Sequence, residues 1–90
     1  MTKLTQSLLE QLRAHAVTCL EDLIEQVSVG TPSTASWDVT RAALESLPLT
    51  TAECATARNR LENARRYLEA REHGAARYEL RLLARRLTHN

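Results

Sequence analysis

Apolar residues in the first third of the chain recur at steps of three and four. Leu8, Leu12, His15 or Ala16, Cys19, Leu23 and Val27 mark a stripe that Leu9, Ala16, Leu20 and Ile24 widen, with Glu10, Gln11, Arg13, Glu21, Asp22 and Glu25 outside it. That period belongs to an amphipathic helix. It predicts one helix from Thr2 to Val29, about 40 Å long at ~1.5 Å per residue. The stretch SVGTPSTAS, residues 28–36, then interrupts the pattern with glycine, proline and small polar residues, and reads as a flexible linker. A second helix is expected to open at Ser36 or Asp38 with Trp37 folded back over its start. It should stop at Leu47, because Pro48 disfavours helical geometry in the residue before it.

Thr50 and Glu53 have the spacing of a capping box and announce a third helix. Cys54, Ala57, Leu61, Ala64 and Leu68 form its apolar seam, opposite Arg58, Glu62, Arg65, Arg66 and Glu69. Those charges alternate at intervals of four, which predicts a solvated face paired with itself. Beyond Leu68 the apolar positions slip by one residue, to Ala76, Leu80, Leu83 and Leu87. One residue is about 100° of rotation. The slip coincides with EHG, residues 72–74, and predicts a fourth helix from Ala75 to Thr88, hinged at Gly74 acting as a left-handed cap. The alternative is one continuous helix, in which the glycine costs about 1 kcal/mol.

Composition agrees with helices throughout. Fifteen leucines and no Phe make the core aliphatic, and only two glycines and two prolines interrupt 90 residues. The fold class is therefore all-α, a single-domain three- or four-helix bundle with the first and third helices as its long antiparallel members. The run YLEAREHGAARYELRLL, residues 67–83, resembles the helix–turn–helix of a tetratricopeptide unit. Such units bury their faces only by stacking in arrays, and one copy carries no function across.

Charge is nearly balanced, at +1, but unevenly spread. Residues 1–49 hold three basic against six acidic side chains, and residues 50–90 hold nine arginines against five glutamates. The halves can neutralise each other within one chain or between copies. Cys19 and Cys54 are too few for a disulfide framework. No signal peptide or membrane-spanning run is expected, which points to a cytoplasmic protein.

Candidate chemistry is sparse. His15 and Cys19, four apart, share a helix face, but no second ligand pair completes a zinc site, so no metal or cofactor is expected. No phosphate loop, nucleophile elbow or carboxylate cluster suggests an enzyme. A helix-turn-helix reading of the second and third helices lacks basic residues at the start of the reading helix. The remaining signal is Arg77, Arg81 and Arg85, a stripe with no glutamate four residues away. Uneven helix lengths imply uncovered apolar surface. These features predict a non-enzymatic regulator or adaptor that works by helix-mediated protein contact, as a homodimer or docked on another protein. Leu80, Leu83 and Leu87 would be its apolar anchors, with Arg77, Arg81 and Arg85 as rim. The alternative is a nucleic-acid-binding regulator using the same arginines against phosphate.

Overall fold

Four helices joined by short turns make up the computed structural model, which describes residues 3–88: α1 (Lys3–Val29), α2 (Thr34–Glu45), α3 (Thr51–Glu69) and α4 (His73–Thr88). The expected start of α1 at Thr2 lies outside the described residues. Its end at Val29 agrees with the break in the apolar pattern, and Gly30 closes the last turn through its amide on the Gln26 carbonyl at 2.9 Å.

The expected linker of residues 28–36 is shorter than its composition suggested. Ser33 caps α2 by accepting from the Ser36 amide at 3.2 Å, so the helix begins one turn before the expected Asp38. This earlier start puts Trp37 inside the first turn rather than folded back over it. Trp37, Thr40 and Leu44 then share the inward face. At the other end α2 stops at Glu45, before Leu47. The Leu47 amide bonds the Leu44 carbonyl three residues back (3.2 Å), a tighter turn that delivers buried Leu47 toward Pro48.

α3 opens with the expected capping box. The Glu53 amide donates to the Thr50 hydroxyl at 3.1 Å, and the Thr50 amide donates to the Glu53 carboxylate at 2.9 Å. The hinge that follows differs from expectation. Gly74 lies inside α4 without a positive φ, and the left-handed residue is Arg71, at φ 63°. The Glu72 amide reaches the Tyr67 carbonyl at 2.8 Å and the Arg71 amide reaches Leu68 at 2.9 Å, the paired bonds of a Schellman cap. The chain thus turns three residues before its glycine.

Side-chain pairings give the helix directions. His73 at the start of α4 meets Val27 near the end of α1, while Leu9 shares a cleft with Leu83 and Leu87. Arg60 of α3 pairs with Glu79 of α4, and Glu45 of α2 with Arg58 of α3. Each helix runs antiparallel to the next, an up-down-up-down bundle. α1 and α3 are consequently parallel and diagonal to each other, not the antiparallel pair the lengths suggested. α4 is the central element, packed on both, and α2–α3 is the thinnest seam. Ala16, Ala64 and Ala76 are fully buried and permit close approach of α1, α3 and α4. Leu20, Leu23 and Leu80 fill the middle of the core, each contributing about 1.5–3 kcal/mol by burial.

Candidate functional site

Arg81 and Arg85 are exposed and Arg77 is half-buried, its guanidinium reaching the Ser28 hydroxyl at 3.5 Å. Among the described residues none of the three is in a salt bridge. The acidic residues of α1 do not neutralise them: Glu21, Asp22 and Glu25 are exposed and likewise make no salt bridge. The expected apolar anchors are placed differently from the arginines. Leu80, Leu83 and Leu87 are only 0%, 3% and 9% exposed and lie in the chain's own core. The one-residue slip in the apolar pattern turned these leucines inward, against α1 and α3, and Leu83 and Leu87 there form part of the wall of an open cleft.

Exposed apolar side chains of α1 lie at both of its ends, Val29 at the C-terminal end and Leu8 near the start. The helix of 27 residues overhangs the 12-residue α2. Leu8 is 56% exposed, and Leu9 and Leu12 are partly covered. Beside them opens a cleft of about 190 Å³ between the start of α1, the α2–α3 turn and the end of α4. Leu9, Leu44, Leu47, Leu49, Leu83 and Leu87 line it, with Arg13, Arg86 and Glu53 at the rim. Glu53 is held below its ordinary pKa, first by the Thr50 backbone amide, then by the Thr50 hydroxyl, with Arg86 adding a smaller attraction. A second, shallower hollow of about 350 Å³ shares Leu83 and Arg86 with the cleft and adds Arg60, Leu82 and Arg85. No linear signal foretold this composite surface, because its walls come from all four helices.

The α2–α3 seam holds a polar cleft of about 610 Å³. Its charges largely satisfy each other. Arg41 bonds Asp38 at 2.9 Å, Arg58 bonds Glu45 at 3.3 Å, and Arg65 lies 5.8 Å from the Trp37 ring centroid. The expected intrahelical pairing of α3 is therefore realised in Glu62–Arg66, at 3.6 Å, while Arg58 and Arg65 turn toward α2. Sequence reading also passed over Glu79. It is 7% exposed, accepting two bonds from Arg60 at 3.2 Å and one from Asn63 at 3.4 Å. Its place between Ala76 and Leu83 on the buried stripe was the available signal.

His15 and Cys19 do meet, with Sγ and Nε2 3.7 Å apart. Burial and, less strongly, the charge of Asp22 push the Cys19 thiol above its ordinary pKa, which disfavours the thiolate a nucleophile or metal ligand needs. Cys54 sits elsewhere, in a crevice with Leu44, Leu49 and Ala57. Among the described residues no three His, Cys, Asp or Glu side chains are grouped to hold a metal ion, and no helix is long and apolar enough to cross a membrane.

No protein-family model, curated protein or solved structure matches the chain.

Proposed function

We propose that this chain is a small non-enzymatic regulator or adaptor that acts by helix-mediated protein–protein contact, self-association included. The observation that carries the reading is the open apolar end of the bundle: exposed Leu8 on the α1 overhang beside a leucine-lined cleft. Covering one leucine side chain is worth about 1.5–3 kcal/mol, so an exposed apolar group next to an unfilled apolar slot favours association over solvation. The free thiols Cys19 and Cys54 suit a reducing compartment such as the cytoplasm.

The experiment is solution mass by light scattering across a protein dilution series, at low and high salt. The expected result is a mass above the monomer that falls on dilution, does not change with salt and is lost in Leu8→Asp. Salt insensitivity follows because apolar burial, unlike ion pairing, is not screened. A chain that stays monomeric at every concentration, with wild type and Leu8→Asp indistinguishable, removes the support for self-association.

A second reading has its own observation. Arg81 and Arg85 are exposed and, among the described residues, have no carboxylate partner, and such a stripe can track a phosphate backbone. Adding a short mixed-sequence duplex to the same samples tests it. A complex that dissolves at high salt and is lost in the double variant Arg81→Glu/Arg85→Glu would make nucleic acid the ligand and displace the first reading.

A further inference from the structure

The apolar cleft and the basic hollow beside it share the wall made by Leu83 and Arg86, so they form one continuous surface. The cleft, its charged rim included, is about 190 Å³, of the order of the ~150 Å³ cavity that accepts a benzene-sized guest in another protein. That is room for a large aliphatic or aromatic side chain. Its charged part is unbalanced. Among the described residues Arg13, Arg85 and Arg86 make no salt bridge and Arg60 is turned to Glu79. Against these three free guanidinium groups stand two carboxylates, Glu53 on the rim, which Thr50 caps and Arg86 attracts, and Glu10, three residues before Arg13 on α1. The acidic residues Glu21, Asp22 and Glu25 cannot compensate. Even Glu21 lies about 12 Å along α1 from Arg13, at ~1.5 Å per residue, which is beyond a Debye length of ~10 Å at 0.1 M salt.

We propose that this surface receives an acidic amphipathic helix from a partner protein. Its apolar side chains enter the slot beside Leu9 and Leu49, and its carboxylates meet Arg13, Arg85 and Arg86. The inference rests on the reading of the chain as an interaction module and names the partner's chemistry. A helix fits better than a strand. The lining comes mostly from helices whose amides and carbonyls are already paired, so an extended segment would lose its backbone partners in the slot. A second copy fits less well. Its exposed α1 overhang carries one carboxylate, Glu10, alongside Arg13, so it offers this surface no net negative charge.

The test uses the full chain and two synthetic helices, one of leucine and glutamate with leucine at every third and fourth position, the other with lysine replacing glutamate. Calorimetry gives affinity, and amide chemical shifts give location. The expected result is binding of the glutamate helix alone, with shifts centred on Leu9, Leu49 and Leu83. In Arg13→Glu/Arg86→Glu, both exposed positions, that affinity falls by roughly tenfold or more, the factor set by losing about one good contact, and the lysine helix binds instead. Equal binding of both helices, shifts centred elsewhere, or an unaltered affinity in the double variant overturns the proposal. So does disappearance of the Leu9 and Leu49 shift differences only on dilution of the protein itself, which assigns the cleft to a second copy. If the chain self-associates through Leu8 but ignores the glutamate helix, this inference fails while the broader reading stands. If it does neither, both fail.

Discussion

Arg71 occupies the left-handed region that the cap after α3 requires, while Gly74 stands three residues later in a helical turn. A side chain in that region costs roughly 1–2 kcal/mol relative to glycine. Arg71→Gly should therefore stabilise the fold by about 1 kcal/mol, read as a raised urea midpoint with unchanged slope. Gly74→Ala should also stabilise, by about 0.5–1 kcal/mol, because a Cβ there meets only the Arg77 guanidinium, at 4.0 Å. A destabilised Gly74→Ala would return the hinge to the glycine. Glu79 predicts the opposite sign. Replacing it by leucine alone strands Arg60 and Asn63 and should cost about 1–3 kcal/mol, kept below the fully buried range because Arg60 is partly exposed. Pairing that change with Arg60→Met should recover part of the loss in a double-mutant cycle.

For α3, stability is tied to its first turn. The folded-state pKa of Glu53 is depressed below 4.5 by the Thr50 cap. A depressed carboxyl contributes stability that is present above its unfolded pKa and lost as pH falls through the folded value. Thermal melts between neutral pH and pH 3 should show that acid limb, and Glu53→Gln should flatten it. A limb of unchanged steepness in the variant would mean other carboxylates govern it. For α2, the capping serine is Ser33 rather than Ser36 or Asp38. Ser33→Ala should destabilise by about 1 kcal/mol, while Asp38→Ala, which breaks only an exposed ion pair with Arg41, should change stability by less.

Across the whole bundle, cohesion is unequal. α4 packs on both α1 and α3, whereas α2 is held mainly to α1 and leaves a polar cleft against α3. Amides of α2 should exchange with deuterium before those in the middle of α1 and α4, since elements with less buried apolar contact open at lower free energy. Uniform protection across all four helices would contradict that order. The open end by Leu8 and Leu9 is the other place where packing stops short, and there the overhang of α1 sets the surface available for contact.

How much of this was readable beforehand depended on how local the cause was. The all-α class, the end of α1 at Val29, the Thr50–Glu53 box and the buried seam Ala57, Leu61, Ala64 and Leu68 follow from periods and caps a few residues long. The one-residue slip after Leu68 also correctly marked a turn. The sequence alone determined those features because each is decided by neighbours along the chain. Tertiary structure decided which way the slipped stripe faces, and so that Leu80, Leu83 and Leu87 lie inside the core. It also decided that the turn falls on Arg71, that Glu79 finds Arg60, and that a cleft opens where four helices fail to meet evenly. These depend on residues far apart in sequence, whose mutual distances are set only when α1 and α3 close around α4.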